Sequence, residues 1–320
     1  MIVAIHADAG PGIGLGHAIR CCGLALALAK HNMIPIILNA AGDGLRPLLN
    51  QYGLTDAACQ AEGASVVQAA RAAGAAMLVV DSYRLDRRAL AALAHGLKLV
   101  WFDDTAEQPM IADAIINGSP AALSLPYALP AGILGLLGPD YQVVRPGLTA
   151  RPRRGPVRRL LVTYGGSDPK GVGKVLAGIL PAAITTDFVV GPFAETPANL
   201  SPQAHIHKAP KDMPALIECA DLAISAGGQT LFELAAAQVP TIAIGIGTDQ
   251  KPTLETLDRA GALVFAGWAD DPALADHLRA LLGAMIADEG RRLALAARAH
   301  ALIDGGGGER IAAALKTLLA

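Results

Sequence analysis

Short apolar runs rich in β-branched residues alternate with Ala- and Leu-rich segments of helical length along this chain. This alternation is typical of a parallel sheet covered by helices on both faces, because such strands are buried from both sides. In the first half of the chain, strands are predicted at 2–6, 34–38, 77–81, 98–103 and 113–117. Helices are predicted between them, at 17–30, 44–52, 64–73 and 86–95.

A segment rich in Pro and Arg, 145–157, interrupts this alternation, and the same pattern then begins again. Strands are predicted within 158–166, 187–193, 205–209, 221–228, 240–246 and 262–267, with helices between them and at the C-terminal end. We therefore predict two Rossmann-like α/β domains, 1–150 and 151–320, whose parallel sheets face a cleft. Because doubly wound sheets bind ligands at the carboxyl ends of their strands, this cleft is the expected site.

Composition argues against several classes of protein. The net charge of −2 provides no electrostatic footprint for nucleic acid, and the basic segment 151–159 is expected to be a solvated linker. The sequence has no run of about 20 apolar residues, and its N-terminus lacks the basic region of a signal peptide. The four cysteines have neither metal-binding spacing nor a disulfide framework. We expect a cytoplasmic monomer with no membrane span and no bound metal.

The first glycine-rich loop, ADAGPGIGLGHAIRC at 7–21, follows the first predicted strand. Four glycines allow its backbone to lie close to a ligand. They are Gly10, Gly12, Gly14 and Gly16. The loop is not a dinucleotide-binding fingerprint, because G-x-G-x-x-G fails in every register and Asn39, rather than an acidic residue, follows the second strand.

His17 stands where the helix after this loop is predicted to begin. The positive end of the helix dipole favours a neutral imidazole, which can accept a proton from water or an alcohol. Arg20, one turn later on the same face, can hold an anion. The alternative is that His17 only forms hydrogen bonds at the helix start and that Arg20 is a surface charge.

A second loop, ISAGGQTLFE at 224–233, ends a predicted strand and opens a helix. Its backbone N–H groups, with the helix dipole behind them, are predicted to form an anion site. These are the N–H groups of Gly227, Gly228, Gln229 and Thr230. Glu233, one turn into the helix, can bind the ribose hydroxyls of a nucleotide or simply complement the helix N-terminus.

A third loop, TYGGSDPKG at 163–171, repeats this pattern and makes Gly165, Gly166 and Ser167 candidate ligand-binding residues. Ser167-Asp168-Pro169 can equally be an ordinary N-cap with Pro at the first helical position. The P-loop motif does not occur in the sequence.

Polar residues also follow two strands of the first domain, where they can bind sugar hydroxyls or cap the next loop. They are Asp81, Ser82 and Tyr83 after one strand, and Asp103 and Asp104 after the other. A glycosidase with two catalytic carboxylates has no need of phosphate-binding loops, so that mechanism ranks lower. His205 and His207 alternate along a predicted strand and are expected to be surface residues.

Taken together, the motifs are similar to those of the UDP-2,4-diacetamido-2,4,6-trideoxy-β-L-altropyranose hydrolases of pseudaminic acid biosynthesis. The similarity extends along nearly the whole chain, and the Gly-x-Gly-His element with its following Arg-Cys is its most specific part. The Gly-Gly-x-Thr-x-x-Glu element is shared with the wider GT-B glycosyltransferase superfamily. The similar segments are ADAGPGIGLGHAIRC, VVDSYRLD, FDD, LLGPDYQVVRP, YGGSDP, SAGGQTLFELAAAQVPTIAI, TDQ and DGGGGER.

This resemblance implies a GT-B fold that holds UDP mainly in its C-terminal domain. It implies cleavage of the UDP-sugar at its anomeric carbon by water, with inversion and without a metal or cofactor. His17 matches the general base and Tyr83 a residue of the sugar site, whereas Gly228, Thr230 and Glu233 match the diphosphate and ribose region. The other candidate substrate-binding residues are Gly14, Gly16, Arg20, Asp81, Asp104, Gly165, Gly166, Ser167, Gly227, Gln229, Asp249 and Gln250.

The chain departs from the family pattern at Ser82, Gln229, Phe232, Asp249 and the Gly-rich segment 305–308. The hydrolase is expected to serve surface or flagellin glycosylation. Two other functions remain open. One is a GT-B transferase in which His17 deprotonates a sugar hydroxyl, and the other is a non-catalytic nucleotide-sugar binding protein.

Overall fold

Strands and helices alternate along the chain as the sequence pattern predicts. The computed structural model describes residues 1–10 and 13–319, and the chain forms two units. The N-terminal unit comprises Met1–Pro146 and Gly306–Ala320, and the C-terminal unit comprises Gly147–Gly305. Each unit contains one parallel sheet with helices, which confirms the predicted α/β class.

The sheet of the N-terminal unit has seven strands among the described residues. They are β1 (Ile2–Ala7), β2 (Ile34–Asn39), β3 (Asp56–Ala58), β4 (Ala75–Asp81), β5 (Lys98–Phe102), β6 (Ala114–Asn117) and β7 (Leu134–Leu137). Their order is β3-β2-β1-β4-β5-β6-β7, and every pair is parallel. In β1, Ile5 pairs with Ile37 on one side and with Val79 on the other. β1, β4 and β5 are therefore neighbours whose carboxyl ends share one edge.

The sheet of the C-terminal unit has six strands within the described part of the chain. They are β8 (Arg159–Thr163), β9 (Thr185–Val190), β10 (Ala204–Lys208), β11 (Leu222–Ala226), β12 (Thr241–Gly245) and β13 (Val264–Trp268). Their order is β10-β9-β8-β11-β12-β13, again with parallel pairing. The loops that follow β8 and β11 consequently lie side by side.

Helices occupy most of the segments between the strands. They are α1 (Gly16–Lys30), α2 (Arg46–Tyr52), α3 (Gly63–Ala72), α4 (Arg87–Leu93), α5 (Val172–Ala177), α6 (Met213–Cys219), α7 (Gln229–Ala236), α8 (Lys251–Arg259), α9 (Leu274–Ala287), α10 (Glu289–Leu302) and α11 (Gly307–Leu318). Alternate residues of β1 face opposite sides of the sheet, so that Ile5 packs in the same buried cluster as Leu24 of α1, whereas Ala4 packs with Val66 of α3.

The C-terminal helix α11 belongs to the N-terminal unit, although the predicted second domain extends to residue 320. Glu309 accepts hydrogen bonds from Lys30 at 2.7 Å and pairs with His31 at 3.1 Å, both at the end of α1. A Cβ atom on Gly307 would collide with the backbone of Gln142, so the glycine permits a close approach. The Gly-rich segment 305–308 therefore serves packing in this fold.

The basic segment 151–159 is only in part the solvated linker that the sequence predicts, because Arg151, Arg154 and Arg158 are exposed but Arg153 and Arg159 bind other parts of the unit. Arg153 is buried, with 2% of its surface exposed, and it donates to the carbonyl oxygen of Ile217 at 3.4 Å. Arg151 donates to the carbonyl oxygen of Glu218 at 2.6 Å. These carbonyls end α6, where cationic side chains are favoured by the helix dipole. Arg159 binds the buried carboxylate of Asp187.

Candidate active site

The glycine loop after β1 folds back on itself before α1 begins. Gly14 donates its N–H to the carbonyl of Gly10 at 2.8 Å, and Gly10 donates to the carbonyl of Gly14 at 3.1 Å. Gly14 has φ +82°, a conformation that side chains rarely adopt, so this turn favours glycine. Pro11 and Gly12 lie outside the described residues. Gly16 is the first residue of α1, which places His17 in the first helical turn as predicted.

Five side chains meet at the carboxyl edge of the N-terminal sheet. We call them the His17 cluster: His17, Arg20, Asp81, Tyr83 and Asp104. The two residues from α1 lie three positions apart, on one face of the helix, and the other three follow or end β4 and β5. All five are candidate residues from the sequence.

His17 and Asp81 form a close pair. The Nδ1 atom of His17 lies 2.7 Å from Oδ1 of Asp81, whose side chain is only 1% exposed. Burial opposes ionisation of Asp81, but Arg20 and His17 hold the pKa of this carboxyl well below its usual range. An ionised carboxylate only accepts hydrogen bonds, so Nδ1 carries the shared proton. In the neutral ring, Nε2 then has the free lone pair.

The structure corrects the expected acidity of His17. The helix N-terminus was expected to favour the neutral imidazole. Burial does lower the pKa of His17, but the Asp81 carboxylate outweighs this effect, and the pKa lies above the ordinary value of 6.5. The imidazole is therefore a stronger base than the helix position alone predicts.

Arg20 is engaged by carboxylates of the chain itself. It donates to Asp81 from Nε at 2.5 Å and from Nη2 at 2.7 Å, and to Asp104 from Nη1 at 3.0 Å and from Nη2 at 2.7 Å. Its guanidinium carbon lies 4.8 Å from the ring centroid of Phe102. Two carboxylates more than neutralise one guanidinium. We expected Arg20 to hold a substrate anion, but in the structure its guanidinium bridges Asp81 and Asp104.

Tyr83 completes the His17 cluster on its exposed side. Its hydroxyl donates to Oδ2 of Asp104 at 2.7 Å, and its ring meets His17 edge to face, with centroids 4.9 Å apart. Tyr83 is 55% exposed, which is unusual for a large aromatic side chain with such contacts. Desolvation of its hydroxyl and the negative charge of Asp104 raise the pKa of Tyr83, so the hydroxyl remains a donor.

Asp8, after β1, is a further residue of this edge that the sequence reasoning did not select. Its Oδ2 atom accepts hydrogen bonds from the hydroxyl of Ser82 and from the backbone N–H of Tyr83, both at 3.0 Å. The same strand-end position that selected Asp81 points to Asp8 as well. Asp103 differs from both, because it binds the buried Arg87 and accepts from the N–H of Thr105 at 3.0 Å, and so caps its own loop.

In the C-terminal unit, the loop after β11 provides fewer N–H groups than predicted. Gly227 is buried and donates its N–H to the carbonyl of Ile244 at 3.1 Å, so this group is not available to an anion. Gly228 is the N-cap of α7, and Gln229 and Thr230 are its first residues. Space is open within 4 Å of the Cβ position of Gly228. Glu233 is buried on the same helix.

The neighbouring loop after β8 is partly a helix cap. Gly165 has φ +99° and Asp168 accepts from the N–H groups of Val172 at 2.8 Å and Gly173 at 2.9 Å. The side chain of Asp168 therefore caps α5, but the alternative with Pro169 at the first helical position is wrong, because the N-cap residue is Gly171 and α5 begins at Val172. Gly166 and Ser167 lie half-buried beside it, and a ligand role for these loop residues stays a prediction.

Two further candidates lie after β12. Asp249 is exposed, whereas the Oε1 atom of Gln250 accepts from the N–H of Ile246 at 3.0 Å. Gln250 thus holds its own loop, and its ligand role stays a prediction. The expectation for the strand histidines is right for His205, which is exposed, but His207 pairs with Asp187 at 2.8 Å.

The residues that the structure describes contain no group of three or more His, Cys, Asp and Glu side chains arranged for a metal ion. In the same residues, no helix is both long and apolar enough to span a bilayer.

Comparison with solved structures identifies the fold. The chain matches MurG of Acinetobacter baumannii with a TM-score of 0.67 and 15% identity, over 99% of both chains. It matches the spinosyn forosaminyltransferase SpnP with a TM-score of 0.71 and 16% identity, over 100% of this chain and 99% of that one. The fold is GT-B. At these identities the likeness concerns the fold alone.

Proteins of similar sequence include two whose names describe a function. The spore coat polysaccharide biosynthesis protein SpsG of Bacillus subtilis is 25% identical, over 99% of this chain and 98% of its own. The pseudaminic acid cytidylyltransferase and UDP-2,4-diacetamido-2,4,6-trideoxy-β-L-altropyranose hydrolase of Helicobacter pylori is 32% identical over 102 residues. That match covers 31% of this chain and 19% of the longer protein. No protein-family model matches the chain.

Proposed function

We propose that the protein hydrolyses a UDP-linked 2,4-diacetamido-2,4,6-trideoxy sugar at its anomeric carbon, with inversion, in pseudaminic acid biosynthesis. The observation that carries this proposal is the His17–Asp81 pair, in which Nδ1 is held at 2.7 Å and Nε2 keeps its lone pair. A histidine oriented by a buried carboxylate is well suited to accept a proton from water.

In the proposed reaction, a water oxygen attacks the anomeric carbon while its proton passes to Nε2 of His17. The bond between this carbon and the β-phosphate oxygen breaks, and its electron pair leaves with UDP. Inversion follows because water enters opposite the leaving group. Asp81 stabilises the imidazolium that forms, since its buried carboxylate lies against Nδ1.

The sugar is proposed to bind at the exposed side of the His17 cluster. Tyr83 presents its ring there, and the partly exposed carboxylate of Asp104 offers acceptor oxygens to hydroxyl and amide N–H groups. Asp81 is buried against His17 and Arg20, so its proposed role is to hold the base. Gly14 and Gly16 are proposed to let the sugar approach the loop closely.

UDP is proposed to bind the loops of the C-terminal unit. Its diphosphate would face Gly228, Gln229 and Thr230 at the N-terminus of α7, where N–H groups and the helix dipole stabilise an anion. Glu233 is assigned to the ribose hydroxyls. Gly165, Gly166, Ser167, Asp249 and Gln250 are proposed to surround the nucleotide.

The comparisons support the choice of substrate. One relative is named both as a pseudaminic acid cytidylyltransferase and as the hydrolase of this UDP-sugar, and the match covers 19% of it. Another is named for spore coat polysaccharide biosynthesis. MurG and the forosaminyltransferase SpnP share the fold, so a transferase that uses a UDP-sugar is the alternative outcome of the test.

The test is a comparison of His17→Ala with the unmodified protein. We expect the variant to lose turnover of the UDP-sugar and to keep its affinity for UDP, because His17 belongs to the other unit. His205→Ala, at an exposed histidine of the C-terminal unit, is the matched control and is expected to change neither. Equal losses of turnover and UDP affinity in His17→Ala would contradict the assigned role.

A further inference from the structure

Arg20 connects the carboxylate behind the proposed base to a second carboxylate, that of Asp104. We propose that Arg20 is a positioning residue that shares Asp81 with His17 and ties it to Asp104 and Tyr83, so that His17 stays available as a proton acceptor. This inference rests on the proposed role of His17 as the base.

His17 and Arg20 bind the same carboxylate, that of Asp81. Oδ1 is 2.7 Å from Nδ1 of His17 and also 2.7 Å from Nη2 of Arg20, while Oδ2 accepts from Nε of Arg20 at 2.5 Å. The carboxylate therefore divides its charge between an imidazole and a permanent cation. A buried carboxylate paired with histidine alone stabilises the imidazolium strongly, and an imidazolium has no lone pair to accept a proton.

The guanidinium of Arg20 also lies next to the imidazole ring of His17. Nη2 of Arg20 lies 3.2 Å from Nδ1 of His17, compared with 2.7 Å for Oδ1 of Asp81. A positive charge at this distance disfavours a second positive charge on the ring. Asp81 raises the pKa of His17, and the positive charge of Arg20 lowers it. Arg20 therefore limits the rise that Asp81 causes.

The same guanidinium binds the second carboxylate of the His17 cluster, that of Asp104. Asp104 receives two hydrogen bonds from the guanidinium and one from the hydroxyl of Tyr83. Tyr83 in turn meets the ring of His17 edge to face. One side chain therefore fixes both the carboxylate behind the base and the aromatic ring beside it.

The charged and titratable groups near His17 come from every element at this edge. Asp81, Asp104 and Tyr83 follow or end β4 and β5, and Arg20 lies on α1. Cys21 of α1 contacts Asp81 at 3.7 Å, and the buried His6 lies 3.9 Å from Asp8 at the end of β1. Burial lowers the pKa of His6 and raises that of the Cys21 thiol, so both stay neutral near pH 7. Arg20 is therefore the permanently charged cation that pairs with Asp81 and Asp104.

The test is a titration of the His17 imidazole by NMR, which needs no substrate. Arg20→Gln is made both in the unmodified protein and in an Asp104→Asn background, which removes the carboxylate that Arg20 would leave unpaired. In each background we expect Arg20→Gln to raise the pKa of His17 by about one unit or more, as expected for a neighbouring charge. The acid limb of kcat/KM should move to higher pH with it.

Arg46→Gln is the matched control, because Arg46 is an exposed arginine of the same unit that pairs with Asp43. It is expected to leave the His17 titration unchanged. If Arg20→Gln alone does not fold, the comparison within the Asp104→Asn background decides. An unchanged pKa of His17 in that background would overturn the proposal. A failed hydrolase assay would leave this titration intact, so the two proposals fail separately.

Discussion

Nδ1 of His17 lies 2.7 Å from Oδ1 of Asp81, although 64 positions separate the two residues in the sequence. The pair forms because α1 begins directly after the glycine loop and because β4, which ends at Asp81, is the neighbour of β1. The first turn of the helix and the end of the strand therefore meet at one edge of the sheet.

Asp81→Asn tests what this pair contributes to turnover. The amide cannot stabilise an imidazolium, so we expect the pKa of His17 to fall and kcat to fall by about 10²- to 10⁴-fold, the usual range for general base catalysis. UDP affinity, measured by calorimetry, should not change. Asp43→Asn, at an exposed carboxylate of the same unit, is the control and should retain full kcat. A full kcat in Asp81→Asn would mean that the carboxylate plays no part.

The pH dependence of activity follows from the raised pKa of His17. Only the neutral ring accepts a proton, so kcat/KM should rise with pH through a single ionisation above 6.5 and then level off. The profile is measured with the unmodified protein and with Asp81→Asn, in which the rise should move to lower pH. A profile that is flat in this region would contradict a histidine base.

The contribution of His17 to the stability of the folded protein should fall as pH rises, whereas its activity as a base should rise. A group whose pKa is raised by folding stabilises the folded protein below its ordinary pKa, and this contribution is lost as pH rises through the folded value. We therefore expect His17→Ala to cost more stability at about pH 5.5 than at about pH 9 in urea unfolding. Asp81 and Asp104 have lowered pKa values, so their ionised carboxylates stabilise the folded protein at neutral pH. This stabilisation is lost as pH falls below the ordinary carboxyl range.

Gly228→Ala tests the proposed nucleotide loop without disturbing the fold. The residue has φ −96°, and a Cβ atom there meets nothing within 4 Å, so the melting temperature should not change. The added methyl group would occupy space beside the first N–H groups of α7, and we expect UDP to bind about 10-fold or more weakly, a loss near 1.4 kcal/mol. Gly283→Ala, which also meets no neighbour, is the control and should bind UDP normally. Unchanged UDP affinity in Gly228→Ala would place the diphosphate elsewhere.

Gly307→Ala tests the attachment of α11 to the N-terminal unit. A Cβ atom at this position would collide with the backbone around Gln142, which has little freedom to move. We expect a loss of about 1–3 kcal/mol in the stability of this unit, the usual effect of overpacking. Thermal unfolding measures it, and UDP affinity should remain that of the unmodified protein, because the proposed loops lie in the other unit. A variant with unchanged stability would show that the contact relaxes freely.

Most strands of the N-terminal sheet were predictable from the sequence, including the four-residue β6, whereas β3 and β7 were not. The strands β1, β2, β4 and β5 are buried apolar runs and agree with the prediction to within two residues at their ends. β3 has three residues and β7 contains Gly135, so neither carries a clear pattern. The return of α11 to the first unit depends on contacts between residues far apart in sequence, such as Glu309 with Lys30, which no local pattern encodes.

In the candidate site, too, local patterns identified single residues but not the contacts between residues distant in sequence. The rule that ligands bind at strand ends selected Asp81 and Asp104, and helix-start reasoning selected His17. Which carboxylate pairs with which cation is decided by strand order and side-chain reach, so the bridge made by Arg20 was not predictable. The glycine-rich sequence likewise suggested that the N–H of Gly227 binds an anion. In the structure this N–H donates to the carbonyl of Ile244.

The most direct test is to incubate the purified protein with UDP-2,4-diacetamido-2,4,6-trideoxy-β-L-altropyranose, in the presence of a chelator and without an acceptor, and to follow the products by NMR. We expect UDP and the free sugar with inverted anomeric configuration, and no release by His17→Ala. Binding of the UDP-sugar without release of the free sugar would contradict hydrolysis and would favour a transferase or a binding protein.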